Sequence, residues 1–166
     1  MSKGTRTYIT VHSFTQEDFA ELDQVCDCGS SNFFECVVPF KHEWGEVAHM
    51  ELEDLDYCPQ DQQLTVICET KWHAPARWIQ ASSATSFFQN KLVTAATVTR
   101  DESYVSGIAC MDHDILQERV LLDVDPSVIG ELYQNDEVDE VDEMIWTPVR
   151  SFEEECEDLY IKKGIL

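Results

Sequence analysis

The run Leu64-Thr-Val-Ile-Cys68 constrains the fold most tightly. Five successive apolar or β-branched residues, continuing to Trp72, read as a strand that must be covered by other parts of the chain. Two more such runs follow. Leu92-Val-Thr-Ala-Ala-Thr-Val-Thr99 and Tyr104-Val-Ser-Gly-Ile-Ala-Cys110 flank Arg100-Asp-Glu-Ser103, which reads as a hairpin turn. A chain with these three segments needs a sheet with a core against it.

Upstream, Tyr8-Ile-Thr-Val-His12 alternates and predicts a strand. Ser13 or Thr15 can cap the helix that follows, with Asp18 three residues after Thr15 and Phe14, Phe19, Leu22 and Val25 at helical spacing as far as Cys26. Phe33-Phe-Glu-Cys-Val-Val38 predicts a second strand, ended by Pro39, and residues 41–61 read as a long loop with one helical turn. Pro75 opens a helix over Ala76–Gln89, and Val120–Val124 is a further strand candidate. Pro126 starts a helix to about Gln134, and Ser151–Tyr160 reads as another. This order predicts an α+β fold: a ferredoxin-like two-layer sandwich with a four- or five-stranded mixed or antiparallel sheet and helices on one face. Residues 1–125 form that domain, and residues 126–166 an acidic helical C-terminal extension.

The 166 residues hold 33 acidic and 11 basic side chains, a net charge of −22. The excess is uneven: −7 over residues 1–100 and −15 over residues 101–166. Such a field repels free nucleic acid and anionic membranes and attracts basic surfaces. No run of about 18 apolar residues occurs, so no transmembrane helix is expected. The N-terminus lacks the apolar run of a signal peptide, so the protein is expected to stay in the cytoplasm of the cell that makes it. The seven cysteines, an odd count, then imply reduced thiols, with Cys36, Cys68 and Cys110 as small buried hydrophobes.

Phe34-Glu-Cys-Val-Val-Pro39, Leu64-Thr-Val-Ile-Cys-Glu-Thr-Lys-Trp72 followed by Ala74-Pro75 and a helix, and the hairpin with Gly107 on its second strand share a pattern. Across roughly Phe33–Asp123 the chain resembles the Api92-like family of ferredoxin-like proteins encoded by phages and mobile elements. That family's tryptophan-rich segment is reduced here to Trp44-Gly45. The resemblance implies a fold and a phage or plasmid context, and brings no catalytic residues with it.

Three constellations bear on chemistry. Glu69-Thr-Lys71 after a strand, with Asp54, Asp56 and Asp61 upstream, resembles the D…ExK arrangement of Mg²⁺-dependent PD-(D/E)xK nucleases, in which carboxylates hold the metal. The plainer reading is a strand end with Glu69 and Lys71 on one face, and the acidic charge opposes phosphodiester binding. Cys26 and Cys28 form a CxC, with Cys36, His42, His49 and Cys58 nearby, but a zinc site usually enters through CxxC pairs. Asp112-His-Asp114 reads as an exposed turn rather than a proton-transfer site. No catalytic, metal or cofactor site is therefore expected.

The acidic C-terminal third gives the stronger signal. Glu131, Asp136, Glu137, Asp139, Glu140, Asp142, Glu143, Glu153 and Glu154 are spaced so that a surface could imitate backbone phosphates. Charge runs usually only solvate a tail. Here Val138, Val141, Met144, Ile145 and Trp146 are interleaved, and Met144, Ile145 and Trp146 are candidate interface anchors. The expectation is a non-enzymatic phage or mobile-element protein that inhibits a basic host protein, a nucleic-acid-handling or defence component, through a nucleic-acid-mimicking surface. It would bind neither nucleic acid nor membrane directly. The alternatives are an accessory or structural soluble protein and the Mg²⁺-dependent nuclease.

Overall fold

The structure is a computed structural model that describes residues 4–28, 32–39, 50–71 and 74–160. Strand β1 is Thr5–Val11, followed by helices α1 (Gln16–Val25) and α2 (Phe33–Val37). The hairpin of β2 (Glu51–Cys58) and β3 (Gln63–Thr70) leads to α3 (Ala76–Ser82). A meander of β4 (Val93–Thr99), β5 (Tyr104–Met111) and β6 (Asp114–Asp123) precedes α4 (Pro126–Gln134) and α5 (Val138–Tyr160). The six strands form one sheet in the order β2-β3-β1-β4-β5-β6, with every neighbouring pair antiparallel.

The α+β class holds, but helices cover both faces of the sheet, not one. Ala95 and Ala96 show why. Successive strand side chains point to opposite faces, and these neighbours enter different cores. Ala95 joins Ile9, Val66, Phe14, Phe34 and Trp78 beneath the first three helices. Ala96 joins Val98, Val105, Ile129, Val141 and Ile145 beneath α4 and α5. A strand buried on both faces reads as a continuous apolar run, so β4 looked the same in the sequence whether one face or two was covered.

Other expectations fail for local reasons. Phe33–Val38 is not a strand. Residues 33–37 form helix α2, with Phe33, Phe34 and Val37 buried on one side. A short apolar run fits either period. Residues 51–58, read as loop, form β2; a bulge between Leu52 and Asp54 breaks its alternation. Its charges suit a sheet edge, where carboxylates discourage pairing with other chains. Helix α3 stops at Ser82, short of Gln89, as Ser82, Ser83 and Thr85 hydroxyls donate to carbonyls three residues back. The Thr15 cap holds: its hydroxyl accepts from Asp18 N–H while the Asp18 carboxylate accepts from Thr15 N–H. The 126–160 segment lies on the second face and buries Ile129, Val141, Ile145, Val149, Phe152 and Cys156 there.

Cys26 and Cys36 are joined in a disulfide, contrary to the expected reduced thiols. Their Cα atoms lie 5.6 Å apart, within bridging distance. Cys68 and Cys110 are free and buried as expected, and burial pushes both thiols up to about 12.

Candidate acidic interface

Helix α4 starts cleanly. The Asp125 side chain accepts from Ser127 N–H, and Pro126 occupies the first turn. Asp136, in the left-handed region at φ 57°, turns the chain into α5. Glu137, Asp139 and Glu140 then lie at the positive end of the α5 dipole, where carboxylates are favoured. Glu131, Asp136, Glu137, Asp139, Glu140, Asp142 and Glu143 are all exposed around this junction.

On the flank of α5 that turns toward β1, Asp139, Asp142, Glu143, Trp146 and Arg150 line a shallow depression of about 420 Å³. Trp146 is half-buried and packs edge-on against Tyr8 of β1, ring centroids 4.6 Å apart. Of the three candidate anchors, Trp146 borders the depression, Met144 is half-buried against the second core, and Ile145 belongs to that core and is closed to a partner.

The carboxylates do not form one continuous stripe. Glu153 turns inward and is half-buried; Glu154 is exposed. Glu154 lies eleven positions after Glu143, about 16 Å along a helix. Arg150 lies between them, and Glu155 is engaged by Arg119 of β6. The acidic surface is therefore a dense patch at the α4–α5 junction and a smaller one near the end of α5.

The inward side of α5 holds a constellation that sequence reasoning missed. His12, 1% exposed, follows β1, and its Nε2 lies 2.8 Å from Thr94 Oγ1 on β4. Its Nδ1 lies 3.4 Å from Glu157 Oε1 on α5 and 3.5 Å from Gln63 Nε2. With the Nδ1 proton directed at the Glu157 carboxylate, which only accepts, Nε2 accepts from the Thr94 hydroxyl; the Gln63 amide nitrogen, which only donates, is then not bonded to Nδ1. Hydroxyl, imidazole and carboxylate stand in the order of a nucleophilic triad. Thr94 is wholly buried, however, and no substrate atom reaches its oxygen in this arrangement. The only sequence signal was a histidine at the end of an apolar strand.

The remaining candidates lie in the sheet and its turns. Glu69 lies 3.5 Å from Arg100 Nη2, and Asp54 stands opposite Ile67 in the β2–β3 ladder. Asp112 and His113 both have positive φ, 47° and 79°, and make the two-residue turn between β5 and β6. His42 and His49 lie outside the described residues. Among the described residues, no group of three His, Cys, Asp or Glu side chains is placed to hold a metal ion. A second depression, about 150 Å³, is lined by Arg6, Tyr8, Glu69, Arg100 and Glu102. Its cations are already engaged: Arg6 lies 2.6 Å from Glu53, and Arg100 faces Glu69. Among the described residues, no helix is long and apolar enough to cross a membrane. Comparison with known protein families, curated proteins and solved structures finds no match to this chain.

Proposed function

We propose that this chain is a non-enzymatic interaction protein whose α4–α5 surface binds a basic, nucleic-acid-handling protein and blocks it by standing in for nucleic acid. One observation carries the reading: a half-buried tryptophan borders a depression lined by Asp139, Asp142 and Glu143 together with a single cation, Arg150, within the most acidic part of a chain of net charge −22. Carboxylates attract a basic surface at long range and set the encounter rate. An aromatic ring beside them offers a face for an arginine or lysine of the partner.

The strand order β2-β3-β1-β4 with intervening helices supports a ferredoxin-like unit, to which β5 and β6 add strands and α4 and α5 a second helical layer. The Api92-like resemblance, and with it a phage or mobile-element origin and a host defence component as target, belongs to the same proposal. The second reading is a soluble accessory protein. It is favoured by the position of Glu137, Asp139 and Glu140 at a helix N-terminus, where carboxylates stabilise the helix without any partner.

The test is an affinity capture from the native host cell, followed by binding kinetics of the recovered partner at two salt concentrations. Association should slow steeply with salt, because charges separated by more than about 8–10 Å are screened. A partner whose association is insensitive to salt, or to charge reversal at Asp139, Glu140, Asp142 and Glu143, would refute the mimicry.

A further inference from the structure

The second face of the sheet is covered unevenly. Helix α5 packs there on β4, β5 and β6, and β3 and the edge strand β2 lie beyond it, past β1. Register fixes what this outer part carries, because side chains directly opposite each other share a face. Tyr8 stands opposite Ile67, and Ile67 opposite Asp54. Thr10 stands opposite Thr65, and Thr65 opposite Asp56. Tyr8 packs against Trp146 and the second core, so both rows lie on the α5 side of the sheet. Ile67 is half-buried on an interior strand, yet among the described residues it packs into none of the three apolar clusters. Asp54 and Asp56 are exposed.

We propose that this shelf, walled by α5 and rimmed by β2, seats one helix of the basic partner, lying on the sheet beside α5. The proposal rests on the acidic-interface reading and extends it from the flank of α5 to the sheet. Width and charge point to that occupant. Neighbouring strands stand about 4.8 Å apart, so β1 to β2 spans about 10 Å, the width of one helix. Tyr8 and Ile67 give the shelf an apolar middle, with Trp146 at its wall. Carboxylates flank it on both sides: Asp54 and Asp56 along β2, and Asp139, Asp142 and Glu143 along α5. Of the nearby cations, Arg6 lies 2.6 Å from Glu53, and Arg150 shares the α5 flank with three acids. Both sides therefore stay negative. A helix with an apolar stripe and lysines or arginines on both flanks matches this surface, whereas an extended segment would leave one side unengaged.

The probe is a synthetic helical peptide of about 16 residues, with leucines on one face and lysines on both flanks, which matches the roughly 23 Å length of β1. Titrated at low salt into the full chain with carbon-13-labelled isoleucine methyls, it should shift the Ile67 methyl. Ile115, exposed on β6 opposite Cys110 of the first core, should not move. Asp54→Lys with Asp56→Lys should weaken binding about tenfold or more, as should Asp139→Lys with Asp142→Lys. A peptide with two central prolines, which cannot form the helix, should also bind about tenfold or more weakly. If the lysine variants do not fold, the Ile67 methyl of the unaltered protein decides. No binding, or an Ile67 methyl that stays in place while the peptide binds, would overturn the shelf. Weakening confined to the Asp139 and Asp142 changes would overturn the shelf and leave the acidic interface standing. If neither pair of changes matters, the acidic interface fails with it. Equal binding of the proline peptide would overturn the helical occupant.

Discussion

Gly107 on β5 and Phe152 on α5 meet with no space for a side chain between them. A Cβ on Gly107 would lie 3.0 Å from Phe152 Cε1 and 2.9 Å from Leu121 Cδ1. The glycine is what lets α5 approach the sheet closely, and Arg119 also lies over the Phe152 ring, 5.0 Å from its centroid. Gly107→Ala should therefore destabilise the protein by about 1–3 kcal/mol through overpacking. A lower denaturant midpoint with an unchanged slope would show it. An unaltered midpoint would mean that α5 can shift outward at no cost.

The capping box of α1 gives a second prediction. Thr15→Ala removes the acceptor for Asp18 N–H and should cost about 0.5–2 kcal/mol. Asp18 is held below its ordinary range: its bonds to Thr15 and Lys91 outweigh the opposing effect of burial. A depressed carboxyl stabilises the fold above its unfolded value, and that stability is lost as pH falls through the folded value. Thr15→Ala should accordingly flatten the acid limb of a stability–pH profile.

His12 and Glu153 act on stability with opposite signs. Burial lowers His12, so its contribution is present above its ordinary value of 6.5 and is lost as pH falls through the lowered value. Glu153 is raised from 4.5 to about 7, so its contribution is present below 4.5 and is lost as pH rises toward 7. The two partly cancel between pH 4.5 and 6.5. Denaturation of Glu153→Gln across that window should show a steeper loss of stability on acidification than the unaltered chain.

Trp146 and the carboxylates beside it should separate in binding kinetics. Reversing Asp139, Glu140, Asp142 and Glu143 to lysine should slow association with the captured partner by about tenfold or more at low salt. Trp146→Ala should mainly speed dissociation. Losing its contact with Tyr8 should also cost about 0.5–1.5 kcal/mol of stability beyond the loss of buried area. Deleting α5 is a poor substitute for these variants. It would bare Val98, Val105 and Ala109 on the sheet, and the expected result is an aggregating chain in size-exclusion chromatography.

Local signals were legible in the chain itself. The Thr15–Asp18 cap, the buried strand Leu64–Cys68, the hairpin around Arg100–Ser103 and the strand near Val120 each rest on residues close in sequence. So does the crowding of acids after Glu131. Where a segment's identity depends on distant contacts, the sequence was silent or misleading. Phe33–Val37 is helical because one side of it fits under Trp78, whose Nε1–H donates to the Phe34 carbonyl. Glu51–Cys58 is a strand because β3 offers it an edge. The direction of Glu153 and the meeting of His12, Thr94 and Glu157 depend on how α5 lies across the sheet. That is decided by the close approach at Gly107 and by apolar burial on the second face. The inward turn of Glu153 follows from this packing, since a carboxylate in an acidic run has no local reason to face the core.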